Sequence, residues 1–162
     1  MYNGHSTETA ILKVANDLLT AIDTDKVSVL TLLDLFAAFY IIDHDILFHH
    51  LEHFFGFQGT ALAWFRSYLA DRTQAVSIDG RLSSPAIIHY DIHQGSVLGP
   101  ILFMPYTQPL SCVIGRHPVS QQLYADDTQL HISGSPSEIS ATIHHMEKCI
   151  CDFKSWMICN KL

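Results

Sequence analysis

Residues 121–133, QQLYADDTQLHIS, alternate apolar and polar side chains on both sides of a short bend, and a chain patterned this way must build an antiparallel sheet. The bend holds two adjacent carboxylates, Asp126 and Asp127. Neighbouring aspartates repel and cannot both bury their charge, so the pair belongs either in a solvated hairpin turn or on a cation.

The rest of the chain supplies helices to cover that sheet. Residues 6–23 combine a Ser/Thr start with apolar side chains at helical spacing, predicting a helix that ends near Asp23. Residues 26–36, KVSVLTLLDLF, form a nearly continuous apolar run rich in β-branched residues and read as a buried strand ending near Asp34. Residues 43–55, stopped by Gly56, and 59–72 read as two amphipathic helices. An Asp-Gly pair between alternating runs predicts a hairpin within 73–92. A glycine- and proline-bearing loop then leads into a helix over 101–114, whose regularity Pro105 and Pro109 limit. Ser135, Pro136 and Glu138 mark the start of a last helix, 135–157. The fold class is therefore α+β, an antiparallel sheet with helices packed on one face.

With 162 residues the chain is one domain with a real core. It is 48% hydrophobic and only 15% charged, which excludes disorder over most of its length. A mean hydropathy of +0.18 points to apolar surface that belongs against something else. The nine Lys and Arg are outnumbered by 16 Asp and Glu, so the chain as a whole does not attract phosphate backbones. The start lacks a secretory pattern, the four cysteines have no disulfide-framework spacing, and no apolar run reaches membrane-spanning length. An intracellular, reducing setting follows as the expectation, and no membrane partner is expected.

Asp34 closes one strand, and Asp126 with Asp127 sits in a hairpin bend. If those strands are neighbours the three carboxylates converge, and hard divalent cations with oxygen preference relieve their repulsion. Two such ions are the apparatus of in-line phosphoryl transfer.

LTLLDLFAAFYIIDHDIL, HQGSVLGPILF and LYADDTQL occur in the order and approximate spacing of the three central palm motifs of reverse transcriptases, and the chain resembles those of non-LTR retrotransposons (LINE elements). The likeness continues through STETAILKVANDLL, LAWFRSYLADRTQAVSIDG and CDFKSWMICNKL, nearly the whole chain. The resemblance implies a polymerase palm and RNA-directed DNA polymerisation by two-metal nucleotidyl transfer, with two Mg²⁺ (Mn²⁺ as substitute) on Asp34, Asp126 and Asp127. It further implies nucleotide-binding roles for Leu35, through its backbone carbonyl, for Phe39 as a gate against the ribose 2′-hydroxyl, and for Gln94 and Gly95 in a loop that also contains Ser96. Tyr124 and Ala125 would shape the turn beside the primer end. The implied partners are an RNA template, a DNA primer and deoxynucleotides, in the nucleus or the cytoplasm.

Several positions depart from the family pattern. Tyr40 stands where a second aspartate is usual, Asp91-Ile92-His93 where Gly-Val-Pro is usual, and Cys112 where close relatives have aspartate. The resemblance covers the palm and the end of the fingers region without the thumb, so residues 1–162 are expected to be a partial reverse transcriptase domain that does not polymerise alone. The alternative is a non-catalytic remnant of a retrotransposon that binds nucleic acid or protein.

Other signals have plainer readings. His49 and His53 have the i,i+4 spacing of a helical zinc site but no intervening Glu of the metalloprotease kind, and residues two apart such as Cys149 and Cys151 diverge on a helix. Trp64 and Tyr68, also four apart, are expected in the core rather than stacked on bases.

Overall fold

The computed structural model describes residues 7–35, 42–88, 90, 97–124 and 127–162. The described elements run α1 (Thr7–Asp23), β1 (Val27–Asp34), α2 (His44–His53), α3 (Gly59–Leu69), β2 (Thr73–Gln74), β3 (Ser77–Ile78), β4 (Arg81–Leu82), β5 (Ala86–Ile87), α4 (Gly99–Ile114), β6 (Ser120–Tyr124), β7 (Asp127–Gly134) and α5 (Ile139–Cys159). A 3₁₀ turn, Pro136–Glu138, precedes α5, and Ser135 Oγ donates to Glu138 Oε2 at 2.8 Å there. The chain is α+β and divides into two compact units, residues 1–36 with 110–159 and residues 37–109 with 160–162.

The first unit is built on a three-stranded antiparallel sheet in the order β1-β7-β6. The hairpin read from 121–133 is β6 and β7, and β1 joins its far edge from nearly a hundred residues upstream. One face is closed: Thr128 and Leu130 are buried, and Gln121 on the same face bonds Ser111 in the last turn of α4. At Gly134 a side chain would run into Thr142 of α5, so the close approach of that helix requires glycine.

β1 does not match the expectation of a strand buried on both faces. Its residues alternate, with Leu30, Leu32 and Asp34 exposed on one side. The apolar run reads as fully buried because Leu32 is apolar on the open face, where only the structure tells the two faces apart.

In the second unit α2 and α3 carry the core residues Leu47, Leu51, Leu62 and Leu69. The Asp79-Gly80 turn has both residues at positive φ, 50° and 76°, the type I′ geometry that the dipeptide favours, and it joins β3 to β4. α4 runs through Pro105 and Pro109 without ending, contrary to the limited regularity expected. Pro109 has no N–H for the carbonyl four residues earlier, and the adjacent Tyr106 carbonyl accepts a hydrogen bond from His50 Nδ1 at 3.1 Å. A side chain from α2 thus supplies a donor beside the one the helix lacks.

Candidate active site on the open sheet face

The register of the sheet sets Asp34 directly opposite Asp127, the last pair of the β1-β7 ladder, and sets Tyr124 of β6 on the other side of Asp127. Directly opposed side chains in an antiparallel pair have Cβ atoms about 4.5–5.5 Å apart, so two carboxylates share one end of one face. Both are exposed. Behind them the same face carries Leu32, Gln129 and Gln122 in one row and Leu30, His131 and Ser120 in the next.

Like charges placed directly opposite destabilise a sheet. No other pair on the β1-β7 ladder opposes two charges of one sign. Carboxylate oxygens are the donors that Mg²⁺ and Mn²⁺ prefer, so the pair suits a hard divalent ion. Among the described residues there is no group of three His, Cys, Asp or Glu placed to hold a metal, and Asp126, the third carboxylate of the expected set, lies outside the described residues.

Of the remaining expected site residues, Leu35 directly follows Asp34 and is buried, 3% exposed. Phe39, Gln94, Gly95, Ser96 and Ala125 lie outside the described residues, as do the departures Tyr40, Asp91 and His93. Among the described residues the carboxylate pair lines neither of two clefts. One of about 410 Å³ lies toward the other end of β7, lined by Thr20, Lys26 and His131 among others, and one of about 570 Å³ lies in the second unit beside Phe48 and Tyr90. An exposed platform fits an extended substrate better than an enclosed small molecule.

The zinc reading of the α2 histidines finds other uses for them. His53 Nδ1 lies 3.0 Å from the His49 carbonyl, with the two rings stacked 4.1 Å apart, while His50 is buried against Tyr106. Burial lowers the pKa of His50, partly offset by its hydrogen bond to the Tyr106 carbonyl. Cys149 is buried, which pushes its thiol pKa up, and Cys151 and Cys159 are exposed.

One cluster escaped the sequence reading. Asp43 caps α2: its Oδ1 accepts from the backbone N–H of Asp45 and Ile46 at 3.0 and 3.1 Å, and its Oδ2 takes Lys161 Nζ. The Asp43 N–H donates to Tyr106 Oη, which donates in turn to the Asn160 carbonyl. Burial raises the Asp43 pKa, but Lys161 and the two backbone donors outweigh it, and the net shift is downward. Burial beside Asp43 drives the Tyr106 hydroxyl up to about 12. The N-cap was legible in Asp43 standing before an apolar-periodic helix, but a partner 118 residues away was not.

The chain matches the family model described as Reverse transcriptase (RNA-dependent DNA polymerase) over residues 2–161. It is 31% identical over 158 residues to the RNA-directed DNA polymerase from mobile element jockey of Drosophila melanogaster, an alignment covering 94% of this chain and 17% of that protein. It is 29% identical over 137 residues to the Probable RNA-directed DNA polymerase from transposon BS of the same organism, covering 82% of this chain and 15% of that protein. The chain thus spans about a sixth of the length of these relatives.

Proposed function

The chain belongs to the reverse transcriptase (RNA-dependent DNA polymerase) family, of the LINE type, and from that membership we propose that its open sheet face is the catalytic platform of RNA-directed DNA synthesis. The observation that carries the reading is the register pairing of Asp34 with Asp127 at the exposed end of the sheet. Reverse transcriptases as a family use divalent metal ions, and Asp34, Asp127 and Asp126 are the residues proposed to hold two Mg²⁺ here. When bound, such ions activate the attacking hydroxyl and steady the leaving pyrophosphate.

The chain's own residues do the positioning. Asp34 and Asp127 present oxygen acceptors from two strands whose ladder fixes their separation, so the site needs little rearrangement to accept cations. Buried Leu35 holds the chain just past Asp34 against the core, and its backbone carbonyl is proposed as a further ligand. Ile42 is fully buried, and Asp43 beside it caps α2. Phe39 is proposed to crowd the ribose 2′-hydroxyl, and Gln94 and Gly95 to approach the incoming nucleotide. The RNA template, DNA primer and deoxynucleotides are the substrates of this reading.

Calorimetric titration of Mn²⁺ into the chain with primer–template and deoxynucleotide tests it. Binding to the wild type that disappears in Asp34→Asn with Asp127→Asn is the expected result. Equal binding by the wild type and a folded double variant would sink the metal platform. Primer extension on an RNA template above the level of an Asp127→Asn control measures the chemistry itself.

A further inference from the structure

α3 carries two apolar stripes, and only one faces the core. Leu62 and Leu69 are buried, and Phe65 sits edge-on to Phe57 at 5.5 Å. Trp64 lies on the other stripe and is 53% exposed. Its ring stacks on Tyr68 with centroids 5.7 Å apart and planes 13° from parallel, and the Arg72 guanidinium lies 4.8 Å over the Tyr68 ring. The expectation that Trp64 fills the core is therefore corrected, while Tyr68 is half-buried. An 11-residue helix with apolar side chains on two faces can bury only one, and the aliphatic stripe wins.

The charges around this stack run against the rest of the chain. Arg66, Arg72 and Arg81 are three of its four arginines, while residues 57–88 contain only two of its 16 carboxylates, Asp71 and Asp79. Among the described residues none of these arginines has a carboxylate partner. With three arginines against two aspartates, residues 57–88 are net positive on a chain of net charge -7, and Arg72 brings that charge to the stack, which favours a polyanion here.

We propose that the ladder of Trp64, Tyr68 and Arg72 docks single-stranded nucleic acid, with a base stacked on the exposed surface of Trp64 and a backbone phosphate against Arg72; Arg66, on the opposite face of α3 over the Phe48 ring, takes no part. Stacking on a flat exposed ring is available to an unpaired base but not to one inside a duplex, and it accepts every base because each has a π-face. A protein partner would be served equally well by an aliphatic patch and would not need an arginine without a carboxylate partner at the end of the ladder. The inference deepens the polymerase reading by naming where an unpaired strand meets the chain, but the contact requires no metal and no turnover.

The test is fluorescence anisotropy of a 5′-dye-labelled 12-nucleotide oligouridine, and of the same strand annealed to its DNA complement, titrated with the full chain in EDTA. Excluding divalent ions separates this result from any failure of the carboxylate platform. Trp64→Ala and Trp64→Leu are each expected to weaken binding of the single strand about tenfold or more, Trp64→Phe to stay within about threefold, and the duplex to respond less. Arg72→Ala is expected to reduce the dependence of log affinity on log salt by about 0.7, one phosphate contact. Circular dichroism checks each fold; Trp64 is exposed enough to be replaced without opening the core. Absence of binding by the wild type, or wild-type affinity in folded Trp64→Leu, would overturn the proposal. So would a Trp64→Leu effect confined to self-association, which would mark the surface as a protein contact.

Discussion

Asp34 and Asp127 face each other across the ladder, so each destabilises the other. Replacing either by asparagine is expected to raise the stability of the metal-free protein by a few tenths of a kcal/mol up to about 1 kcal/mol. On the proposed metal reading, Mg²⁺ or Mn²⁺ is expected to raise the melting temperature of the wild type, and the same change should abolish that rise. Thermal melts with and without the ion check both halves. The Asp43 cluster behaves in the opposite way, since removing a member costs stability. Asp43→Ala deletes the α2 cap and is expected to cost about 1–2 kcal/mol in urea unfolding, while Lys161, more than half exposed, rehydrates. The folded Asp43 pKa lies below its ordinary 3.8, so the stabilisation it brings is complete above that value and lost as the pH falls through the folded one. His50 adds to the acid limb: its folded pKa lies below 6.5, so the unfolded chain takes the proton first and stability falls below that pH. Tyr106 sets the alkaline limb, because its folded value near 12 exceeds the ordinary 10.0 and its contribution is lost between them. Urea midpoints from pH 3 to pH 11 should trace a plateau between about 6.5 and 10. Asp43→Asn should flatten the acid end.

At the scale of elements, the fit of α5 against β7 rests on a single missing side chain. Gly134→Ala is expected to destabilise by about 1–3 kcal/mol because the new methyl meets the Thr142 hydroxyl. Thr142→Ala in the same chain should recover part of that loss, measured as a double-mutant cycle in urea. The elements were largely legible in the sequence because their signals are local. Asp-Gly fixes a type I′ turn, alternation fixes β6 and β7, and apolar spacing fixes α1, α2 and α5. What was not legible depends on which neighbour a face finds. Leu32 and Leu33 are equally apolar, yet Leu32 is 68% exposed and Leu33 only half-buried, a difference set by the sheet. Trp64 and Leu62 raise the same difficulty on α3. The continuity of α4 through two prolines could not be foreseen either, since the donor beside the gap comes from α2. The meeting of Asp34 with Asp127 was foreseen on condition that their strands pair, and the register meets that condition for these two.

The whole molecule carries more apolar surface than its two cores use. Ile11, Leu12, Leu19 and Ile22 of α1 are each at least 60% exposed, as are Val76, Ile78, Leu82 and Ile87 around the hairpin. This is the surface that the mean hydropathy of +0.18 foreshadowed. Changing Leu19 and Ile22 to glutamate is expected to reduce concentration-dependent association in sedimentation while leaving the melting temperature within a few degrees, since no core is touched. Assembly of the carboxylate pair carries a different consequence. Its two carboxylates come from strands separated by roughly 90 residues, and closing a loop of that length costs entropy before any contact compensates. High contact order of this kind makes the central ladder slow to form, and a nascent chain cannot complete it until β7 has left the ribosome. If the proposed ion site forms, ion capture must wait for this pairing, and the time course of ion uptake after dilution from denaturant is a clock for closure of the β1-β7 ladder.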